Sequence, residues 1–148
     1  MNSVMEFMAA DHDRLDSIFA EFRIMKNTDM ASAKTLFDDF IKGLQRHITW
    51  EEDILFPVFE DRTGMYDAGP VAVMQMEHCH IKNYLEQIQN RILAKEINGI
   101  DELVCGLMEL LADHNAKEES ILYPWIDRET SDKEREDIIS RMKNSSME

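Results

Sequence analysis

Two stretches of the chain, HITWEEDILFPV at residues 47–58 and HNAKEESILYPW at residues 114–125, follow one formula: His-x-x-x-Glu-Glu-x-Ile-Leu-aromatic-Pro. A phrase of this length, repeated, implies one local structure built twice. His47 and Glu51, like His114 and Glu118, stand four residues apart, so on a helix they lie about 40° apart in azimuth and about 6 Å apart along the axis. Each pair therefore projects together. The histidines repeat at nearly the same interval, since His12 precedes His78 by 66 residues and His47 precedes His114 by 67. The chain reads as a duplicated helical hairpin.

The intervening sequence supports helices throughout. Five glycines and three prolines in 148 residues leave little punctuation, and the apolar period is that of a helix. Met5, Met8, His12, Leu15, Phe19 and Phe22 define a stripe on a first helix at about 3–26, closed by Asn27-Thr28-Asp29. A second helix is predicted at about 30–61, with Phe37, Phe40, Leu44, His47, Glu51, Leu55 and Val58 on its stripe and a bend at Pro57. The third, about 70–96, carries Val71, Met74, His78, Ile81, Leu85, Ile88 and Ile92. A fourth, about 100–128, carries Leu103, Leu107, Leu111, His114, Glu118, Ile121 and Trp125. Ser131 and Glu134 read as a capping box for a short C-terminal helix at about 131–143, fraying in the polar end KNSSME. The expected fold is all-α: an antiparallel up-down-up-down four-helix bundle over about 3–128 with that extra helix, residues 1–148 forming one domain.

Antiparallel neighbours at one height are equidistant from their turn. The midpoints of His12 and His47, His47 and His78, and His78 and His114 all fall in or beside the predicted turns. All four histidines are thus expected on one level, each on its helix's inward stripe. Burying Glu51 and Glu118 beside them without a cation would cost several kcal/mol each, roughly, in desolvation. The imidazole and carboxylate donors suit iron, manganese or zinc. An octahedral pair has twelve coordination places; four imidazole nitrogens, two bridging carboxylates and one bridging oxo or hydroxo group fill ten, leaving two for a small ligand.

Composition narrows the partners. With 30 acidic against 16 basic residues the formal charge is −14, which speaks against nucleic acid or an anionic membrane. The opening residues lack the basic start and apolar run of a signal peptide, and no later segment reaches the length of a membrane span, so a cytoplasmic location is expected. Cys79 and Cys105, without CxxC spacing, read as inert buried or half-buried thiols. His80 lies about 200° from His78 and reads as solvated. Glu77 and His80 make one Glu-x-x-His, and a ferritin-like site needs two. Trp50 and Trp125 read as packing residues. Glu52 and Glu119 read as solvated or as hydrogen-bonded to the ligands.

The ordered set of His12, His47-x-x-x-Glu51, His78 and His114-x-x-x-Glu118, with EEDILFP and EESILYP after the paired motifs, resembles the hemerythrin-like (HHE cation-binding) domains. The resemblance covers about residues 5–128. It implies a non-haem di-iron centre, with His12, His47, His78 and His114 as terminal ligands and Glu51 and Glu118 as bridging carboxylates; manganese or zinc are possible substitutes. Family members bind dioxygen or nitric oxide, sense oxygen or iron, store iron, or take part in repair of nitrosatively damaged iron centres. Oxygen-carrying hemerythrins have HxxxH on the third helix, where this chain has Met74, and the four-His, two-Glu set looks more like the bacterial iron-centre repair proteins. The expected function is binding of dioxygen or nitric oxide for sensing, scavenging or iron delivery, with an unknown redox partner. The alternatives are a di-iron peroxidase or oxidase, an iron-centre repair factor, or a structural bundle with zinc or no metal.

Overall fold

The computed structural model describes residues 2–145, and among them no strand occurs. Helix α1, Val4–Met25, starts where the Ser3 side chain accepts the Glu6 N–H. Helix α2 spans residues 30–63 and opens on Asp29, whose carboxylate accepts the N–H groups of Ala31 and Ser32, neutralising donors that a helix start leaves unpaired. It ends at Gly64, whose φ of 72° is the left-handed conformation glycine tolerates. Helix α3 is Gly69–Leu93, ending three residues before the predicted end, because Lys95 takes φ 58° and turns the backbone before Gly99. Helix α4 spans residues 100–129 and α5 is Asp132–Asn144. The Ser131–Glu134 capping box is formed in both directions.

α1 packs against α2 and α3 against α4, and the hairpins close on each other through α1 with α4 and α2 with α3. This is the expected antiparallel bundle. At Gly43 an added Cβ would stand 2.6 Å from Leu15 Cδ2, so glycine there permits the close approach of α1 and α2. α5 folds back over one end: Ile138, Ile139 and Met142 pack with Val4, Met8, Trp50 and Ile54. Lys143 and Asn144 remain helical, and Trp50 Nε1 donates to Ser145 Oγ at 2.8 Å, so the polar end does not fray there. Residues 146–148 lie outside the described residues.

One local feature departs from the sequence reading. Both long helices of the repeated phrase contain a π turn, Glu51–Leu55 in α2 and Glu118–Leu122 in α4. Phe56 N–H reaches back five residues to the Glu51 carbonyl, and Tyr123 N–H to that of Glu118. Pro57 and Pro124 follow at once. Proline lacks the N–H that an α-helix would use there, and the wider turn accommodates it without a break. The extra residue carries the inward face on by one position. Ile121, expected on the stripe, is 48% exposed, and Val58 is only half-buried. The core passes instead to Phe56 and Phe59 in α2, and to Leu122, Tyr123 and Ile126 in α4.

Two apolar clusters result. One holds Leu15, Phe19, Phe22, Phe37, Phe40 and their neighbours from α3 and α4; Phe19 and Phe40 stack tilted at 4.7 Å and Phe22 and Phe37 at 4.9 Å. The other lies under α5 and includes Met8, Met74, Phe56, Phe59 and Tyr123. Between them lies a polar layer.

Candidate metal centre

The polar layer is the histidine level. His12, His47, His78 and His114 are all buried, with ring centroids 4.7 Å apart for His12 and His47 and 5.1 Å for His78 and His114. Each turns Nε2 to the middle of the bundle, where the fully buried Glu51 and Glu118 meet them. The two carboxylates divide their oxygens between the two halves. Glu51 Oε1 lies 3.0 Å from His78 Nε2 while its Oε2 lies 3.7 Å from His47 Nε2. Glu118 Oε1 lies 3.1 Å from His12 Nε2, and its Oε2 3.2 Å from His114 Nε2. All six residues singled out by spacing are brought together.

Each of these four histidines is held from behind by a carboxylate on its Nδ1: His12 by Glu119 at 2.6 Å, and His47 by Asp11, His78 by Glu52 and His114 by Glu77 at 2.8 Å each. An Nδ1–H donated outward leaves the Nε2 lone pair directed inward, the arrangement that orients metal-binding imidazoles. Glu52 and Glu119 thus serve as partners of the histidines. The sequence reading did not assign Asp11 and Glu77 as partners of the histidines, although the acid-His pairs Asp11-His12 and Glu77-His78 recur in both halves of the duplication. Asp11 is in turn bound by Arg14 and Glu77 by Lys117. His80 is exposed and forms no site with Glu77. Both cysteines are exposed, contrary to expectation; Cys79 sits one residue past the inward His78 and so points about 100° away from it.

The charges are tightly coupled. Burial pulls the His12 and His114 imidazoles down, but hydrogen bonds and charge from the glutamates outweigh it and push both up to about 9. His78 is raised in the same manner by Glu51 and Glu52. Glu51 is raised by burial and by the neighbouring Glu118 charge. Glu118 is held well below the usual carboxylate range, its burial outweighed by the Glu51 carboxyl and the His114 and His12 imidazoles beside it. Protons thus do in this layer what a cation could do: they separate carboxylates that water does not reach.

A seventh side chain stands in the layer. The fully buried Tyr123 hydroxyl donates to Glu51 Oε2 at 2.6 Å and lies 3.2 Å from His47 Nε2 and 3.5 Å from His12 Nε2. Burial and the Glu118 and Glu51 charges raise its phenol well above the ordinary value. Its counterpart in the repeat is Phe56, whose ring stacks on His78 at 5.7 Å. The only trace in the sequence is ILFP against ILYP, and the π turn hides which way that aromatic points.

The donor set fits a pair of ions. At metal–ligand bonds of about 2.1 Å, two ligands at right angles on one ion stand about 3 Å apart, close to the 3.0, 3.1 and 3.2 Å separations of three of the four Nε2–carboxylate pairs. Glu118 Oε2 is buried with no hydrogen-bond partner although His114 Nε2 is so close, the relation expected of two donors that share an ion. Glu51, His78, His114 and Glu118 place donor atoms within 4.8 Å of one another, as do His12, His47 and Glu118. Met74, where an oxygen carrier has a histidine, is buried in the apolar cluster. Trp50 and Trp125 pack against Phe7 and Phe59. No helix among the described residues is long and apolar enough to cross a membrane.

Comparison with known proteins agrees with this geometry. An iron-sulfur cluster repair protein of Escherichia coli, YtfE, is 33% identical over 93 residues, covering 55% of this chain and 40% of its own. A DNA nickase of Nostoc is 23% identical over 141 residues, 95% of this chain and 38% of its own. The chain therefore spans about two-fifths of the length of these curated relatives. No solved structure matches it. The hemerythrin HHE cation binding domain matches residues 3–126, the whole span that supplies the four histidines and two glutamates, and the chain belongs to that family.

Proposed function

We propose that the protein holds two iron ions, with His12 and His47 on one, His78 and His114 on the other, and Glu51 and Glu118 bridging them. It would bind dioxygen or nitric oxide at places the side chains do not fill, for sensing, scavenging or iron delivery. The observation that carries this reading is the division of each buried carboxylate between two imidazole pairs, which one ion could not use. Iron is favoured over manganese or zinc by the similarity to a protein named for iron-sulfur cluster repair; the donor types alone suit all three.

An iron pair in such a layer supplies reversible redox chemistry and affinity for small diatomic ligands. The chain's own residues do the rest. The outer carboxylates fix the imidazoles, the two apolar clusters keep bulk water from the layer, and Phe56 covers the His78 ring. Beside Glu119, a cleft of about 490 Å³ lined in part by Asp16, Phe40, Met108 and Ala112 opens between α1 and α4, a route by which small species could approach the layer from outside. The bundle and α5 would act as one domain, in the cytoplasm.

The similarity to YtfE favours iron-centre repair as the second reading. Purified protein loaded with ferrous iron and exposed to nitric oxide should form a stoichiometric adduct with a changed visible spectrum; multiple-turnover peroxide consumption or iron transfer to an apo cluster protein would favour the enzyme or the repair factor instead. An unchanged spectrum with nitric oxide would sink the gas-binding reading.

A further inference from the structure

The duplication makes two half-sites that are alike in every donor except one. On the His12 and His47 side, the inward donors are two Nε2 atoms, Glu118 Oε1, Glu51 Oε2 and the Tyr123 hydroxyl. On the His78 and His114 side there are two Nε2 atoms, Glu51 Oε1 and Glu118 Oε2, and in place of the tyrosine the Phe56 ring, stacked on His78 and carrying no donor. The phenol oxygen stands 3.2 and 3.5 Å from the two imidazole nitrogens of its half and 2.6 Å from the Glu51 oxygen that faces the same half. These separations bracket the spacing of about 3 Å between neighbouring ligands of one ion. A hydroxyl placed there for packing alone would need one acceptor; this one is equidistant, within a few tenths of an ångström, from both imidazoles.

We infer that Tyr123 is a ligand, binding through its phenol oxygen the metal held by His12 and His47, so that the two metal positions are chemically different and the His78 and His114 position is the one that admits a small exogenous ligand. With ferric iron the phenol binds as phenolate and its proton leaves to solvent; the iron is oxidised from the ferrous state by dioxygen during loading. Oxygen donors of this kind are hard and anionic and favour the ferric over the ferrous ion, so the Tyr123 half retains the oxidised metal more firmly. The π turn at Glu118–Leu122 takes on a chemical role, since it is the turn that carries Tyr123 onto the inward face.

This inference rests on the two-iron reading, and the test separates the two. The protein is reconstituted with ferrous iron, exposed to air, assayed for iron per chain, and its visible absorption and resonance Raman spectra recorded, alongside Tyr123→Phe treated identically. The expected result is two irons per chain in both proteins, a broad phenolate-to-ferric band with tyrosine ring modes in the wild type, and loss of both in Y123F. Phenylalanine already occupies the equivalent position 56, so the variant should fold, and the wild-type Raman spectrum gives the result without it. Two irons with no phenolate band, or a band that persists in Y123F, would overturn the ligand assignment alone. Iron at background in the wild type would overturn both readings.

Discussion

Glu51 and Glu118 set the terms at the scale of single residues. Each is fully buried, and each faces imidazoles of both half-sites. Glu51→Gln and Glu118→Gln remove the charge at constant shape, and the double variant is expected to lose both metals while keeping its helical circular dichroism; undiminished metal content would show that the carboxylates only pack. Asp11→Asn and Glu77→Gln leave the inner donors in place and loosen the orientation of His47 and His114. Metal affinity, read by competition with a chelator, should fall by roughly 10–100-fold for each. The six inner residues were legible because a four-residue spacing on a helix is rigid geometry and the duplication repeats it. Asp11 and Glu77 carry a weaker signal, an acid directly before a histidine, and which imidazole each one meets depends on packing between neighbouring helices.

Among the elements, the π turns mark where periodicity stops being a guide. A strict 3.6-residue reading put Val58, Ile121 and Trp125 inward, whereas Phe56, Phe59, Leu122, Tyr123 and Ile126 are buried; one added residue accounts for every displacement. Pro57 and Pro124 announced some irregularity without saying which. Helix α5, by contrast, was readable from its capping box. It closes the apolar cluster beneath the histidine layer, so Ile138→Ala should destabilise the protein by about 2–5 kcal/mol in urea unfolding, and Ser131→Ala by about 1 kcal/mol. Asp127 ties the first turn of α1 to the end of α4 by accepting the N–H groups of Val4 and Met5 at 2.8 and 3.1 Å. Its role would be local.

For the molecule as a whole, metal and protons compete for the same layer. In the metal-free protein His12 and His114 are pushed up to about 9 from an ordinary 6.5, so the folded state binds their protons more tightly than the unfolded chain does. The stability this supplies is fully present below about pH 6.5 and is lost as pH rises through about 9. Urea midpoints of chelator-treated protein should therefore fall across that window, and a flat profile would contradict the coupling. Metal uptake should release protons and flatten the profile, and removal of metal should lower the melting temperature, since only the folded chain assembles the layer. The bundle and its order of helices followed from the duplication; the inequivalence of its halves did not, because it rests on one hydroxyl. The most direct test of the central claim is iron per chain after ferrous loading and exposure to air. The structure predicts two in the wild type and none in the Glu51→Gln, Glu118→Gln double variant; background iron in the wild type, or equal iron in both, would contradict it.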